Sequence, residues 1–381
     1  MSRTGACYVT WGEWGPGAFR TQVVDLVQLL REEAEVTLAA LLSAQSRRRL
    51  HPDSGAVFLD GPLAGRWPLG LFHLSSRGLT RLVRSTSPPV LHARGPLAAI
   101  AARRAGRSIP LIHDYRGLDA LEIEAESGAS RFTRRLARLE REACLEADVV
   151  SVVTEPMQRI VLEDYGVDPE RVHVNRCAAD VSSFAHDADA RAAARARLGV
   201  EGPVVAYVGS AADWQEPELC VQTASRLVRE DDATFLVLSQ HAERFVELCD
   251  RHGIPESRRV IAAVPGDELK TLLCVADVGL LPRRPSPGNV VASPIKYAEY
   301  LSAGVPVVSV EGAGAFTSEI AELRLGALAS GPDPDALADA ARRVLHGDDD
   351  VRARCRAAAS AYDLREVAAS YLALYESLAR P

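Results

Sequence analysis

Lysine is almost absent from this chain: Lys270 and Lys296 are the only two among 44 basic residues. A bias so strong reflects a base-composition preference for arginine codons, and it singles out any lysine that stands inside a motif. Aromatic residues are scarce at 6%, while 47% of the chain is hydrophobic, enough for sizeable cores over 381 residues. No apolar run is long enough to span a bilayer, and a strand pattern begins within the first ten residues. That leaves no room for a cleavable leader and predicts a cytoplasmic protein. The seven cysteines form no C-x-x-C pair and no metal-ligand spacing; most read as small core residues in a reducing compartment. No G-x-S-x-G elbow is present, so acyl transfer has no support, and Ser293-x-x-Lys296 lacks the partner motifs of a serine acyl enzyme. The first strand–turn–helix lacks G-x-G-x-x-G, which argues against a nicotinamide dehydrogenase. A net charge of −7 argues against a general nucleic-acid binder.

What is present centres on Ser293–Val308, sequence SPIKYAEYLSAGVPVV. Ser293 has the side chain of an N-cap and Pro294 suits the first helical position. Gly304 can stop the helix in the left-handed conformation, and Val305–Val310 reads as a buried strand. Lys296 breaks a local rule: it stands in the first turn, where the helix dipole disfavours a cation, and it precedes Glu299 in the less favourable order. An anion held on the first-turn N–H groups at Ile295 and Lys296 would account for the lysine. Glu299, one turn on, could then accept hydrogen bonds from neutral hydroxyls beside that anion.

The block resembles the donor-site signature of retaining, nucleotide-sugar-dependent glycosyltransferases of the family 4 type, in the subset with S-P-x-K-x-x-E-Y. The resemblance implies the GT-B fold, two facing doubly wound Rossmann-like α/β domains. It implies that Ser293, Pro294, Ile295 and Lys296 receive the donor diphosphate and that Glu299 binds the ribose. It extends to His92-Ala93-Arg94 after one strand and to Asp114-Tyr115-Arg116-Gly117 after the next, and so to Arg94 and Arg116 near the ligand crevice. His113, Asp114 and Arg116 become candidate catalytic residues on that basis, and Gly15 and Gly17 candidate phosphate-binding amides. Three positions depart from the family pattern. Val291 stands where many members have a second glutamate. Ser210, after Gly209, and Gln215 stand where many carry an arginine and a lysine for the diphosphate. Arg283 and Arg284, after the strand Val278–Leu281, are candidates to replace that charge.

In chain order, strands are expected at Ala6–Thr10, Val36–Leu41, Val57–Leu59, from Val90, and at Ile109–His113, Asp148–Thr154 and Val172–Asn175. A second α/β run has strands at Val204–Val208, Thr234–Leu238, Val260–Val264, Val278–Leu281 and Val305–Val310. Such alternation, twice over, means two doubly wound domains. The expected division is 1–185 for an acceptor-side domain, 186–362 for a donor-binding domain, and 363–381 for a helix returning to the first. The segment Pro62–Arg84 reads as a helix packed on its own domain, with an amphipathic surface that touches acceptor or membrane as the lesser reading. The arginine-rich helix Ser130–Ala147 reads as a solvated face, with an anionic-lipid contact as the lesser reading. Asp187-x-Asp189 and Asp348–Asp350 lie beside helix starts and read as caps rather than metal ligands.

The expected activity is transfer of a sugar from a nucleoside diphosphate sugar to a small-molecule or lipid-linked acceptor with retention of configuration. No cofactor and no metal are expected. Two alternatives stand beside it: a non-catalytic nucleotide-sugar-binding or regulatory protein, motivated by the three neutral positions, and a sugar-nucleotide epimerase of similar fold. Nucleobase, sugar, acceptor and oligomeric state are not specified by the sequence.

Overall fold

The structure is a computed structural model that describes residues 4–12, 19–42, 55–60, 72–184, 188–264, 266–347 and 350–380. The chain divides into two compact units. One comprises Met1–Ala178 together with Leu364–Pro381, the other Ala179–Asp363.

The first unit is built on a sheet of seven strands: β1 (Gly5–Trp11), β2 (Glu35–Leu42), β3 (Val57–Asp60), β4 (Val90–Arg94), β5 (Leu111–Tyr115), β6 (Val149–Val152) and β7 (Val172–Val174). Their order is β3-β2-β1-β4-β5-β6-β7, and every pairing is parallel. Near-continuous apolar runs such as Val36–Leu42 are what a parallel sheet needs, because helices cover both of its faces. One face is covered by the helical stretch from Arg20 to Glu33 and by the helix Leu364–Ala379, which lays Tyr371 and Tyr375 onto Tyr8 and Val90. Helices Phe72–Thr86, Pro96–Ala105 and Arg131–Glu146 pack side by side. Right-handed crossovers from β3 to β4, β4 to β5 and β5 to β6 place all three on the other face.

The second unit carries β8 (Val204–Val208), β9 (Thr234–Leu238), β10 (Arg259–Ala262), β11 (Val278–Leu281), β12 (Val307–Val310) and β13 (Gly326–Ala329). They form a parallel sheet in the order β10-β9-β8-β11-β12-β13. The strand β13 is not among the expected ones. Gly-Ala-Leu-Ala has no β-branched residue, and it is a strand only because β12 pairs with it from Val307 to Val310.

Two sequence expectations need correction. The fifth strand runs Leu111–Tyr115, two residues later than expected, so His113 and Asp114 lie within it rather than at its end. The interior tolerates Asp114 because ion pairs and hydroxyl donors satisfy it there. At the signature, Pro294 is the N-cap, with an extended ψ of 119° and no side-chain cap bond, and the helix runs Ile295–Ser302. The expected Ser-cap and Pro-first geometry occurs one Ser-Pro earlier. Ser286 Oγ accepts from Asn289 N–H at 3.2 Å and starts the short helix Pro287–Val291, a stretch that reads as loop in the sequence. Gly304 does stop the signature helix in the left-handed region, at φ 67°.

Candidate functional site

In an open parallel sheet, ligands bind outside the carboxyl ends of the strands where the strand order reverses. In the second sheet that point lies between β8 and β11. The chain leaves β8 through Gly209 and Ser210, and leaves β11 through Pro282, Arg283 and Arg284. Tyr300 ties the signature helix to both strands. Its hydroxyl accepts from Val208 N–H at 3.0 Å and donates toward the carbonyls of Ala206 and Leu280, both at 3.2 Å. The first turn of the helix is thereby held beside the exit of β8.

Gly209 has φ 136°, a conformation that a side chain strains, and an added Cβ would collide with the Lys296 ammonium. Lys296 is 5% exposed; its Nζ donates to Gln215 Oε1 and lies 4.9 Å from the centre of the Tyr207 ring. Gln215 is fixed in turn, accepting from the Tyr207 hydroxyl at 3.1 Å and donating to Ser210 Oγ at 3.1 Å. Burial, then the nearby Arg283 charge, lowers Lys296 to about 7, against a smaller upward pull from Glu299. Burial raises Glu299 to about 7, opposed by Lys296 and Lys270. Burial thus disfavours the charged form of both groups, and an anion arriving beside Lys296 favours its protonated form.

The two arginines after β11 differ. Arg283 is 4% exposed, and its guanidinium lies 4.8 Å from the centre of the Trp214 ring, close enough to Lys296 to depress it. Arg284 is more than half exposed, with Nε donating to Glu216 Oε1 at 2.5 Å. The turn Asp213–Glu216 therefore holds both arginines, one by stacking and one by an ion pair. Sequence reasoning missed Tyr207, Trp214 and Glu216; a single exposed tryptophan in a polar turn carries no local signal.

In the first unit, Asp114 is the hub of a buried network. It accepts from Tyr371 Oη (3.0 Å), Arg116 (3.2 Å), Arg94 (3.4 Å) and Tyr8 Oη (3.4 Å). Burial pushes its carboxyl up, but Arg116, Arg94, His92 and the Tyr371 hydroxyl outweigh it and hold the group at about 2. Arg116 also donates to Gln22 Oε1 at 2.9 Å and to Cys177 Sγ at 3.0 Å. His113 is fully buried on the opposite face, with Nδ1 3.6 Å from Cys144 Sγ, and burial lowers it to about 3. It is a neutral imidazole at any physiological pH. The structure thus brings Arg94, Asp114 and Arg116 together and sets His113 apart from them. Gly15 and Gly17 lie outside the described residues. Among the described residues no group of three or more His, Cys, Asp or Glu could hold a metal ion. No helix among them is long and apolar enough to cross a membrane.

Residues 17–178 match the family described as glycosyl transferase 4-like domain, and residues 202–347 match glycosyl transferases group 1. A D-inositol 3-phosphate glycosyltransferase of Corynebacterium glutamicum (strain R) is 26% identical over 260 residues, covering 65% of this chain and 60% of that protein. The chain thus spans about 60% of the length of the curated relatives it matches. Among solved structures, Anabaena HepE in complex with UDP aligns with a TM-score of 0.76 at 15% identity, covering 98% of this chain and 100% of that one. Sucrose-phosphate synthase of Thermosynechococcus elongatus aligns with a TM-score of 0.75 at 17% identity, covering 99% of both chains. HepE has also been solved with UDP-glucose. These likenesses show the GT-B fold, two Rossmann-like halves each on a parallel sheet.

Proposed function

From the match of residues 17–178 to the glycosyl transferase 4-like domain and of residues 202–347 to glycosyl transferases group 1, we propose that the chain is a glycosyltransferase of that type and moves a sugar from a nucleoside diphosphate sugar to a hydroxyl acceptor with retention of configuration. The observation that carries the proposal is Lys296: a buried ammonium, lowered to about 7, in the space that Gly209 leaves at the switch point of the second sheet. Burying a cation on a carboxamide and a ring, beside the Arg283 charge and with only a partial counter-pull from Glu299, is costly, and an arriving phosphate relieves that cost.

In this reading the donor diphosphate lies across Gly209 and the first turn of the helix Ile295–Ser302, between Lys296 and Arg283. Glu299 accepts hydrogen bonds from the ribose hydroxyls. The bond between the anomeric carbon and the diphosphate oxygen breaks while the acceptor oxygen bonds to the same face of that carbon. The acceptor proton passes to the departing phosphate oxygen. Negative charge grows on the diphosphate as the bond breaks, and fixed positive dipoles and cations there lower the barrier most. Lys296, Arg283 and the helix amides supply them, so no metal is required. Ser293 and Pro294 set the chain direction into the helix. Arg94, Asp114 and Arg116 act in the first unit as a positioning cluster, Arg94 ending β4, Asp114 inside β5 and Arg116 directly after it, with His113 supporting β5 from the other face. Gly15 and Gly17 remain proposed as backbone donors.

Complexes of HepE with UDP and UDP-glucose support uridine donors as the first to test. The test is a thermal-shift screen of nucleoside diphosphates and their sugars, followed by transfer assays with the stabilising donor in excess EDTA. A binder stabilises the native state as its concentration passes Kd. A product with retained anomeric configuration in EDTA supports the reading, and an inverted product, or turnover only with Mg2+ or Mn2+, contradicts it. Donor binding with no acceptor ever glycosylated would favour a regulatory protein, and a new free nucleotide sugar without acceptor would favour an epimerase.

A further inference from the structure

The outer helix layer of the first unit is strongly one-signed. Helix Phe72–Thr86 contains no acid and exposes Arg77, Arg81 and Arg84 at i, i+4 and i+7, opposite the buried Leu79 and Val83. Helix Pro96–Ala105 contains no acid either. Helix Arg131–Glu146 exposes Arg131, Arg134, Arg135, Arg138 and Arg141, opposite the buried Leu136, Glu140 and Cys144. These helices pack in sequence, so these eight exposed arginines, with the exposed Arg104 of the middle helix beside them, share one side of the unit against two exposed glutamates of those helices, Glu142 and Glu146. None of the eight forms an ion pair among the described residues. The chain as a whole carries a net charge of −7, so this concentration runs against its average. The acidic helix Asp119–Ser127, with Asp119, Glu122 and Glu124, borders the arginines along one edge.

Apolar side chains stand among the charges. Phe132 is 46% exposed in the first turn of Arg131–Glu146, and Leu145 is exposed in its last. A broad face of packed helices, rich in guanidinium and studded with exposed apolar groups, matches the chemistry of an anionic bilayer: phosphate oxygens at the surface and hydrocarbon just below. A nucleic-acid channel would instead pair its cations with aromatic stacking platforms. We propose that the face formed by helices Phe72–Thr86, Pro96–Ala105 and Arg131–Glu146 docks peripherally onto anionic lipid headgroups. The contact brings the enzyme to acceptors held in the membrane plane and does not depend on which donor the second unit binds.

The experiment is co-sedimentation of the full chain with vesicles of phosphatidylcholine alone and of phosphatidylcholine with phosphatidylglycerol, at low and high salt. Each arginine near the surface contributes about fivefold to partitioning. The parent should bind only the anionic vesicles and be released by salt, since exposed charges are screened within about a Debye length. Arg134→Glu/Arg138→Glu should lose at least about 25-fold in partitioning, and Arg77→Glu/Arg81→Glu, on a separate helix, should do the same. Phe132→Ser should weaken binding that survives moderate salt. Melting temperature and nucleotide binding should be unchanged in each variant. Equal binding to neutral vesicles, no binding to anionic ones, both double variants binding like the parent, or capture of single-stranded RNA in preference to vesicles would each overturn the proposal.

Discussion

Lys296 and its neighbours show what single residues contribute. The lysine stands out in the sequence because its dipole and ion-pair context is unfavourable, and the structure places it against Gln215. That pairing joins residues 81 apart in the chain, so no local pattern could announce it. The two arginines after β11 look alike in sequence and are distinguished only by the turn Asp213–Glu216. Arg283→Ala should therefore weaken nucleoside diphosphate binding selectively while leaving the bare nucleoside unaffected. Arg284→Ala, removing a side chain already neutralised by Glu216, should bind both like the parent. Equal losses in the two variants, measured by titration at low salt, would remove the distinction. Glu299→Ala should cost the ribose contact, about 1.5–3 kcal/mol or ten- to hundredfold in donor affinity. A folded variant with unchanged affinity would show that the ribose is held elsewhere.

At the scale of elements, the signature helix is legible in sequence to within one residue, and its stop at Gly304 is where the glycine stands. The start is displaced because Ser-Pro occurs twice within ten residues, and only tertiary packing decides which copy caps a helix. The strand β5 is displaced for a related reason. Polar residues usually mark a strand end, but here Arg94, Arg116 and two tyrosine hydroxyls satisfy Asp114 in the interior. Two predictions belong here. Gly209→Ala imposes a side chain at φ 136° and a clash with Lys296, and should cost about 1–3 kcal/mol of stability together with most of the diphosphate affinity. Thermal unfolding with and without nucleotide measures both losses. Tyr371→Phe removes the hydroxyl that joins the helix Leu364–Ala379 to Asp114 and to Ser151 Oγ at 2.9 Å. It should destabilise the protein by about 1–3 kcal/mol, read by denaturant unfolding, because a buried carboxylate loses a donor. A neutral result would mean that the helix is held by its apolar contacts alone.

For the whole molecule, the fold class follows from strand and helix patterns alternating twice, and two parallel sheets carry it out. Twelve of the thirteen strands are visible as apolar runs; the exception, β13, has no β-branched residue and depends on its neighbour. At the switch point Gly209, Gln215, Arg283 and Lys296 are reached through the family resemblance, whereas the Tyr207 ring and the turn carrying Trp214 and Glu216 depend on long-range order that no local pattern announces. The central claim, that the second unit receives a diphosphate on a buried lysine of lowered basicity, is tested by calorimetric titration of UDP, GDP and ADP at pH 8 in two buffers of different ionisation enthalpy. At that pH Lys296, lowered to about 7, is mostly deprotonated in the free protein, while Glu299 is mostly ionised. A phosphate beside the amine raises its pKa, so the bound state holds more protons and affinity falls as pH rises above 7. The expected result is that one nucleoside diphosphate binds with uptake of up to about 0.9 proton, and that Lys296→Met abolishes the uptake. Binding with no proton taken up, or no binding of any nucleoside diphosphate, would contradict the claim.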